Sequence, residues 1–205
     1  GNLLYTTARL AETEAAYREA LEIYKPLAAE FPTRLDYRHD LAGTLGSLAI
    51  LSNQRRDFTP AKQFLQEALS HHQAALKANP RDPSYRQFYR NSLMVLTQTH
   101  AGLLDPAAAV QTAQMLRDLE WDQPDNTYNA ACVLALCIPI VEKHEKLDDE
   151  KRQAAVQFYG DAAMKLLGEA VSKGLRDVAR LRKDPKLAPL RQREDFQKLL
   201  ADLED

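Results

Sequence analysis

The segment EALEIYKPLAAEFPTRLDY at residues 19–37 returns at residues 67–85 as EALSHHQAALKANPRDPSY, with Glu, Ala, Leu, Pro and Tyr in the same places. Self-similarity at a fixed period marks stacked supersecondary units, each of which needs its neighbours to bury its apolar face. The chain holds only seven glycines, and its ten prolines fall mostly between apolar-periodic runs rich in alanine and leucine, so the repeated unit is helical. No segment sustains two-residue alternation, and no sheet is expected.

Two seams alternate along the repeat. Thr13, Tyr17 and Ala20, then Ala61, Leu65 and Ala68, then Ala109, Ala113 and Leu116 stand at spacings of four and three, and each triplet starts one full period after the last. Such positions share one helix face, and small residues at its ends let a neighbouring helix approach closely. The third copy keeps only its small first residue. The second seam is Tyr37, Leu41, Leu45 and Leu48, reproduced as Tyr85, Tyr89, Leu93 and Leu96. Each repeat therefore contains two helices. Helices are expected near residues 3–30, 34–53, 60–78, 83–101, 106–120, 126–146, 149–173 and 192–203, with a short helical turn near 176–183. Thr59-Pro60, Asp82-Pro83 and Asp105-Pro106 each read as a capping side chain before a proline at the first helical position. Pro32 and Pro80 block the helices before them, Gly174 reads as a left-handed C-terminal cap, and Pro26 is expected to kink or divide the first helix. NQRRDFTP, residues 53–60, reads as a polar loop suited to insertions.

These residues resemble the tetratricopeptide repeat, in which helix A carries a Leu-Gly pair and helix B an alanine, a large apolar residue and an alanine, followed by proline. Leu45-Gly46 with Ala61, Leu65, Ala68 and Pro80 matches that pattern. In the next unit Leu93 is kept, while Met94, Ala113 and Leu116 depart from it. YNAAC at residues 128–132 is similar to the third helix A, with Ala163, Leu167 and Ala170 on its helix B. The resemblance implies an all-α, right-handed α-α superhelix of about three elongated repeats over residues 1–174, the first lacking its helix A. Residues 175–205 then form a C-terminal capping segment, with Leu187, Leu190, Phe196, Leu199 and Leu200 as its apolar face. YRHDLAGTLGSLAIL, residues 37–51, also resembles repeats attached to serine/threonine protein kinases of planctomycete bacteria, which would put a kinase domain upstream in a longer chain. The glycine at position 1 reads as a protease scar, in keeping with an excised fragment.

Catalytic constellations are missing from the chain. The glycine-rich loop, strand lysine and catalytic segments of a kinase do not occur, nor do GxSxG, HExxH or an EF-hand loop, so the expectation is a non-enzyme with no cofactor and no metal. Gly43 and Gly46 lie in a helical pattern with no strand before them, which suits close helix packing rather than phosphate binding. His71 and His72 are adjacent, point to different faces and read as exposed helix residues. Glu120, Asp122 and Asp125 form a capped loop rather than a calcium site, and Asp148, Asp149 and Glu150 complement a helix dipole. Eight basic residues from Lys173 to Arg193 oppose only Asp177 and Asp184, yet acidic residues follow at once, so this reads as a solvated, locally paired face and not a nucleic-acid site. With 27 basic and 29 acidic residues the net charge is −2, which gives no electrostatic case for nucleic acid or an anionic membrane. The longest apolar run, Ala130–Val141, contains Pro139 and falls short of the roughly 18 residues of a membrane span. Cys132 and Cys137 sit five apart, about 140° around a helix, and read as two buried free thiols, which favours a reducing compartment and a cytoplasmic location.

What remains is interaction. The resemblance implies a protein or peptide partner held on the concave face, at helix A positions that align with Asp40, Gly43, Ser47, Phe88, Asn91, Val95, Asn129 and Cys132. The lysine and arginine pattern that clamps a peptide carboxylate in the family is missing there. Phe88 either anchors a partner or packs beside Tyr85 and Tyr89, and Asn129 either bonds a peptide backbone or bonds within the helix stack. The alternative function is a structural spacer or a dimerisation arm, a homodimer included, with no peptide ligand.

Overall fold

Local chemistry sets the helix boundaries. The computed structural model describes residues 2–121 and 124–204, with side chains from residue 9 onward, and among these the regular elements are helices. They are α1 (Asn2–Glu30), α2 (Leu35–Gln54), α3 (Phe58–Ala78), α4 (Pro83–Gly102), α5 (Pro106–Arg117), α6 (Asp125–Glu142), α7 (Asp149–Ser172), α8 (Val178–Lys183) and α9 (Glu194–Ala201). A 3-10 segment, Pro185–Leu190, precedes α9 and lies outside the expected helices. The period survives in the elements: α4 begins and ends one sequence repeat after α2, and α5 begins one repeat after α3.

Several caps stand where the sequence puts them. Asp82 Oδ1 accepts from the backbone N–H groups of Ser84 and Tyr85 at 2.8 and 3.0 Å and Asp105 Oδ1 from Ala108 at 3.0 Å; Asp148, expected only as charge on the helix dipole, caps as well, its Oδ1 accepting from Lys151 at 2.9 Å. Each satisfies an amide that its helix leaves unpaired. Gly174, at φ +106°, closes α7: its N–H donates to the Val171 carbonyl and that of Leu175 to the Ala170 carbonyl, both at 3.0 Å. The same paired closure ends α2 and α4 with Arg56 and Leu104 at φ 63° and 58°, again at equivalent places in successive repeats. Arg38 and Arg86 add a repeated device that the sequence reading missed. Their Nε atoms donate to the Pro32 and Pro80 carbonyls at 3.0 and 2.8 Å, and so tie α2 and α4 each to the turn before it.

Four expectations need correction. Thr59 is not a cap, because α3 already starts at Phe58 with Asp57 in the cap position; Pro60 then sits in the first turn, where a missing N–H costs little. Pro26 does not divide α1, which runs unbroken to Glu30. The polar loop shrinks to Arg55–Asp57, since the paired closure at Arg56 lets α3 begin at once. Finally, α6 stops at Glu142 rather than 146. The Arg152 guanidinium, on α7, donates to the carbonyls of Glu142, His144 and Leu147, and so holds this stretch as a turn.

The helices gather into two units, residues 1–96 and 97–205, with α4 contributing to both. In the first, α2 packs on α1 and α3, and its core joins Leu21, Ala28, Leu41, Ala42, Leu45, Leu48 and Ala68. The buried face of α1 is therefore Tyr17, Leu21, Tyr24 and Ala28, while Thr13 is exposed and its hydroxyl donates to the Arg9 carbonyl at 2.7 Å. The expected first seam is thus rotated, because the larger Leu21 and Tyr24 are what α2 covers. The other seams are buried as read: Ala61, Leu65, Ala68, Ala109, Ala113 and Leu116 are fully enclosed. Ala61→Leu or Ala68→Leu is accordingly expected to cost about 1–3 kcal/mol by overpacking, read as a lower thermal midpoint; unchanged melting of both would misplace the seam.

In the second unit α6 packs on α5, α7 and the 3-10 segment, and residues 130–135 are buried all round, as an apolar helix at the centre of a unit must be. Cys132 and Cys137 are free and fully enclosed, and burial pushes the Cys132 thiol up to about 12. The C-terminal segment is fixed by chemistry the sequence only partly suggested. The Tyr128 hydroxyl donates to Asp184 at 2.6 Å, Arg180 lies over the Tyr128 ring at 4.1 Å and bonds Asp125 at 2.6 Å, and Arg193 bonds Asp161 and Asp195. Much of the basic run is thus locally paired, as expected.

Candidate functional site

Glycines on one helix and an aromatic on another leave a hollow in the first unit. Gly43 and Gly46 stand on α2, one turn apart with Ser47; Phe88, Asn91, Ser92 and Val95 stand on α4; and α3 supplies Leu65 and His72. Together with Ala42 and Ile50 they line a cavity of about 100 Å³. A Cβ at Gly46 would meet nothing within 4 Å, and one at Gly43 would touch Phe88 Cε1 at 3.5 Å, so the hollow exists because α2 lacks side chains there. No lysine, arginine, aspartate or glutamate lines it.

Three of the four polar side chains in the wall, those of Ser47, Asn91 and His72, have a state set by their hydrogen bonds or burial; Ser92 is the fourth. Ser47 Oγ donates to the Gly43 carbonyl at 3.0 Å, which leaves its lone pairs free. Gln87 Nε2 donates to Asn91 Oδ1 at 2.9 Å, so the Asn91 amide is turned with its NH2 available. His72 corrects the sequence reading: it is 1% exposed, not a surface residue, because it follows Leu65 and Ala68 on the buried face of α3. Neither ring nitrogen has a hydrogen-bond partner. Burial, with His39 and His71 acting the same way, pushes its pKa down to about 4, so the imidazole is neutral at pH 7. His71 is half-buried, which also departs from the expectation.

Phe88 is 37% exposed, and its ring neighbours are histidines: His39 at 4.6 Å edge-on and His72 at 6.0 Å. Tyr85 instead meets His39 at 5.3 Å, and the Tyr89 hydroxyl accepts from Gln73 Nε2 at 3.4 Å. Of the eight positions aligned with a concave face, Gly43, Ser47, Phe88, Asn91 and Val95 share this one cavity. Asp40 is exposed on α2 and does not line it. Asn129, half-buried, and Cys132, buried, stand on α6 in the second unit.

The second unit has its own hollow, of about 300 Å³, lined by Leu104, Pro106, Val141, Leu147, Ala154, Ala155, Phe158 and Tyr159. It is apolar, and no periodicity in the sequence marked it. The remaining candidates have structural uses. Asp125 bonds Arg180, Asn126 donates its amide to the Trp121 carbonyl, and Asp122 lies outside the described residues. Among the described residues, no three His, Cys, Asp or Glu side chains are placed to hold a metal ion, and no helix is long and apolar enough to cross a membrane. Comparison with known protein families, with curated proteins and with solved structures finds no match to this chain.

Proposed function

We propose that this chain is a non-catalytic interaction module, a right-handed scaffold of elongated tetratricopeptide-like repeats that receives an extended peptide between successive A helices. The observation that carries the reading is the cavity between α2 and α4, where five positions aligned on the family's concave face converge around a half-exposed aromatic ring. Cavities that bind peptides combine an apolar anchor point with a few polar groups that fix orientation, and Phe88, Ser47 and Asn91 are such a set. The phrasing of residues 37–51 supports a further step, in which the module is the regulatory or sensor region of a larger bacterial protein, a serine/threonine kinase among the candidates. Two buried free thiols support a reducing compartment such as the cytoplasm.

The test is Phe88→Ala against peptides selected from a random display library on the unaltered protein. Loss of a real anchor costs about 2 kcal/mol or more, which is roughly a thirtyfold weaker Kd, with the melting temperature unchanged. Equal peptide affinity in the variant would move the site elsewhere, and failure to select any peptide would favour the spacer or dimerisation arm.

A further inference from the structure

One side of α1 is open where the matching side of α3 is covered. Phe64, Ala68, His71 and Ala75 share a face of α3 at spacings of four, three and four; Ala68 and Ala75 are fully enclosed, and Ala68 and Phe64 join the core that holds Leu41, Leu45 and Leu48 of α2. One period earlier the same face of α1 reads Ala16, Ala20, Ile23 and Leu27. There Ala16 is exposed, Ile23 is 59% exposed, and Ala20 and Leu27 are half-buried. α2 packs on the neighbouring face, Tyr17, Leu21, Tyr24 and Ala28, and leaves this stripe open beside it. The rim of the stripe is acidic. Glu12, Glu19 and Glu30, all exposed, each lie one turn from a stripe residue, along the edge away from α2. Arg18 pairs with Glu14 and Lys25 with Glu67, which leaves these three carboxylates without an ion pair among the described residues. The repeat does not require them: one period later two of the positions hold Pro60 and Ala78, and the third, Glu67, is the one paired with Lys25.

We propose that this face of α1 docks an amphipathic helix of a partner protein, with an aliphatic seam like that of α2 and with lysine or arginine along the edge that meets Glu12, Glu19 and Glu30. The stripe of small and aliphatic residues lets a helix lie close, as α2 does on the equivalent face of α3. The acidic edge sets which helix and in which register, because opposite charges across a rim select a partner more than they add affinity. A second copy of α1 lying antiparallel would set this acidic edge against its own, which disfavours self-pairing. The site is separate from the cavity between α2 and α4 and does not rest on the peptide-groove reading.

The experiment uses two synthetic alanine-based peptides the length of α2, identical in a leucine seam at the spacing of Leu41, Leu45 and Leu48, one with lysine and the other with glutamate along its edges. Fluorescence anisotropy should show the lysine peptide binding about tenfold or more tightly than the glutamate peptide, a gap that narrows as salt rises. Ile23→Asp should weaken it about thirtyfold or more at an unchanged melting temperature, since that side chain stands mostly in solvent. Glu12→Gln, Glu19→Gln and Glu30→Gln together should remove the preference for lysine. Bound peptide should slow hydrogen exchange across residues 12–30. Equal binding of the two peptides, binding that survives Ile23→Asp, or no binding overturns the proposal. So does a dimer in sedimentation that Ile23→Asp dissociates, which gives the face to a second copy. Loss of binding when the chain is tested within a longer natural protein overturns it too, and gives the face to that protein's own helix.

Discussion

Lowering the pH from 6.5 to 4 should remove about 3 kcal/mol of stability through His72 alone, measured as the pH dependence of the free energy of urea unfolding. The sign follows from the order of protonation. In the unfolded chain the imidazole titrates near its ordinary value of 6.5, whereas in the fold burial holds it down to about 4. Between those values the unfolded state binds the proton and the native state does not, so acid favours unfolding across that window and has no further effect through this residue below it. His71 is shifted in the same direction by partial burial and by Arg38, with Glu67 opposing, and adds a smaller slope. Carboxylates held low by arginines, such as Glu14 by Arg18 and Asp195 by Arg193, lose their contribution at lower pH, but they do so in every variant. The difference between wild type and His72→Leu therefore isolates the imidazole. The leucine protein should show a flatter curve between pH 6.5 and 4, and equal slopes in the two proteins would place His72 in water.

Much of the fold was legible because its helix boundaries are set by local chemistry. Asp82, Asp105 and Asp148 act as caps through a carboxylate that any neighbouring amide can use, and Gly174 through a backbone angle that glycine adopts at no cost, so both are readable locally. Arg152 is different. It closes α6 from the next helix by reaching carbonyls far back along the chain, and no local pattern marks such a reach. His72 defeats a sequence reading for another reason. Leu65, Ala68, His72 and Ala75 follow one another at spacings of three and four, so the seam carries the histidine inward although its polarity points it outward, and periodicity wins. The hollow itself was half legible. Gly43 and Gly46 suggested close packing, but no helix fills the space they leave, and what stands there instead is Phe88 from the next repeat.

The C-terminal segment makes the largest demand on stability, and its removal should be the most damaging change. Leu187, Leu190 and Phe196 are fully enclosed and Leu200 is 3% exposed, the first two in the 3-10 segment against α6 and the others on α9, which packs against α7. Burying four such side chains contributes roughly 6–12 kcal/mol by area, an upper figure but of the same size as the whole stability of an ordinary domain. The ion pairs Arg193–Asp161 and Arg182–Glu204 are partly exposed and add at most about 1 kcal/mol each, so they position the segment rather than hold it. Gly160 shows the seat: a Cβ there would overlap the Arg193 guanidinium, which lies across α7 at that point. A chain ending at Asp184 is therefore expected to expose apolar faces of α6 and α7, lose its cooperative thermal transition and aggregate, while Phe196→Ala alone should cost about 3–5 kcal/mol. Light scattering and calorimetry of the shortened chain decide the matter. A monomer that melts at the wild-type temperature would show that α6 and α7 complete their core without the segment, and that its enclosed leucines are passengers.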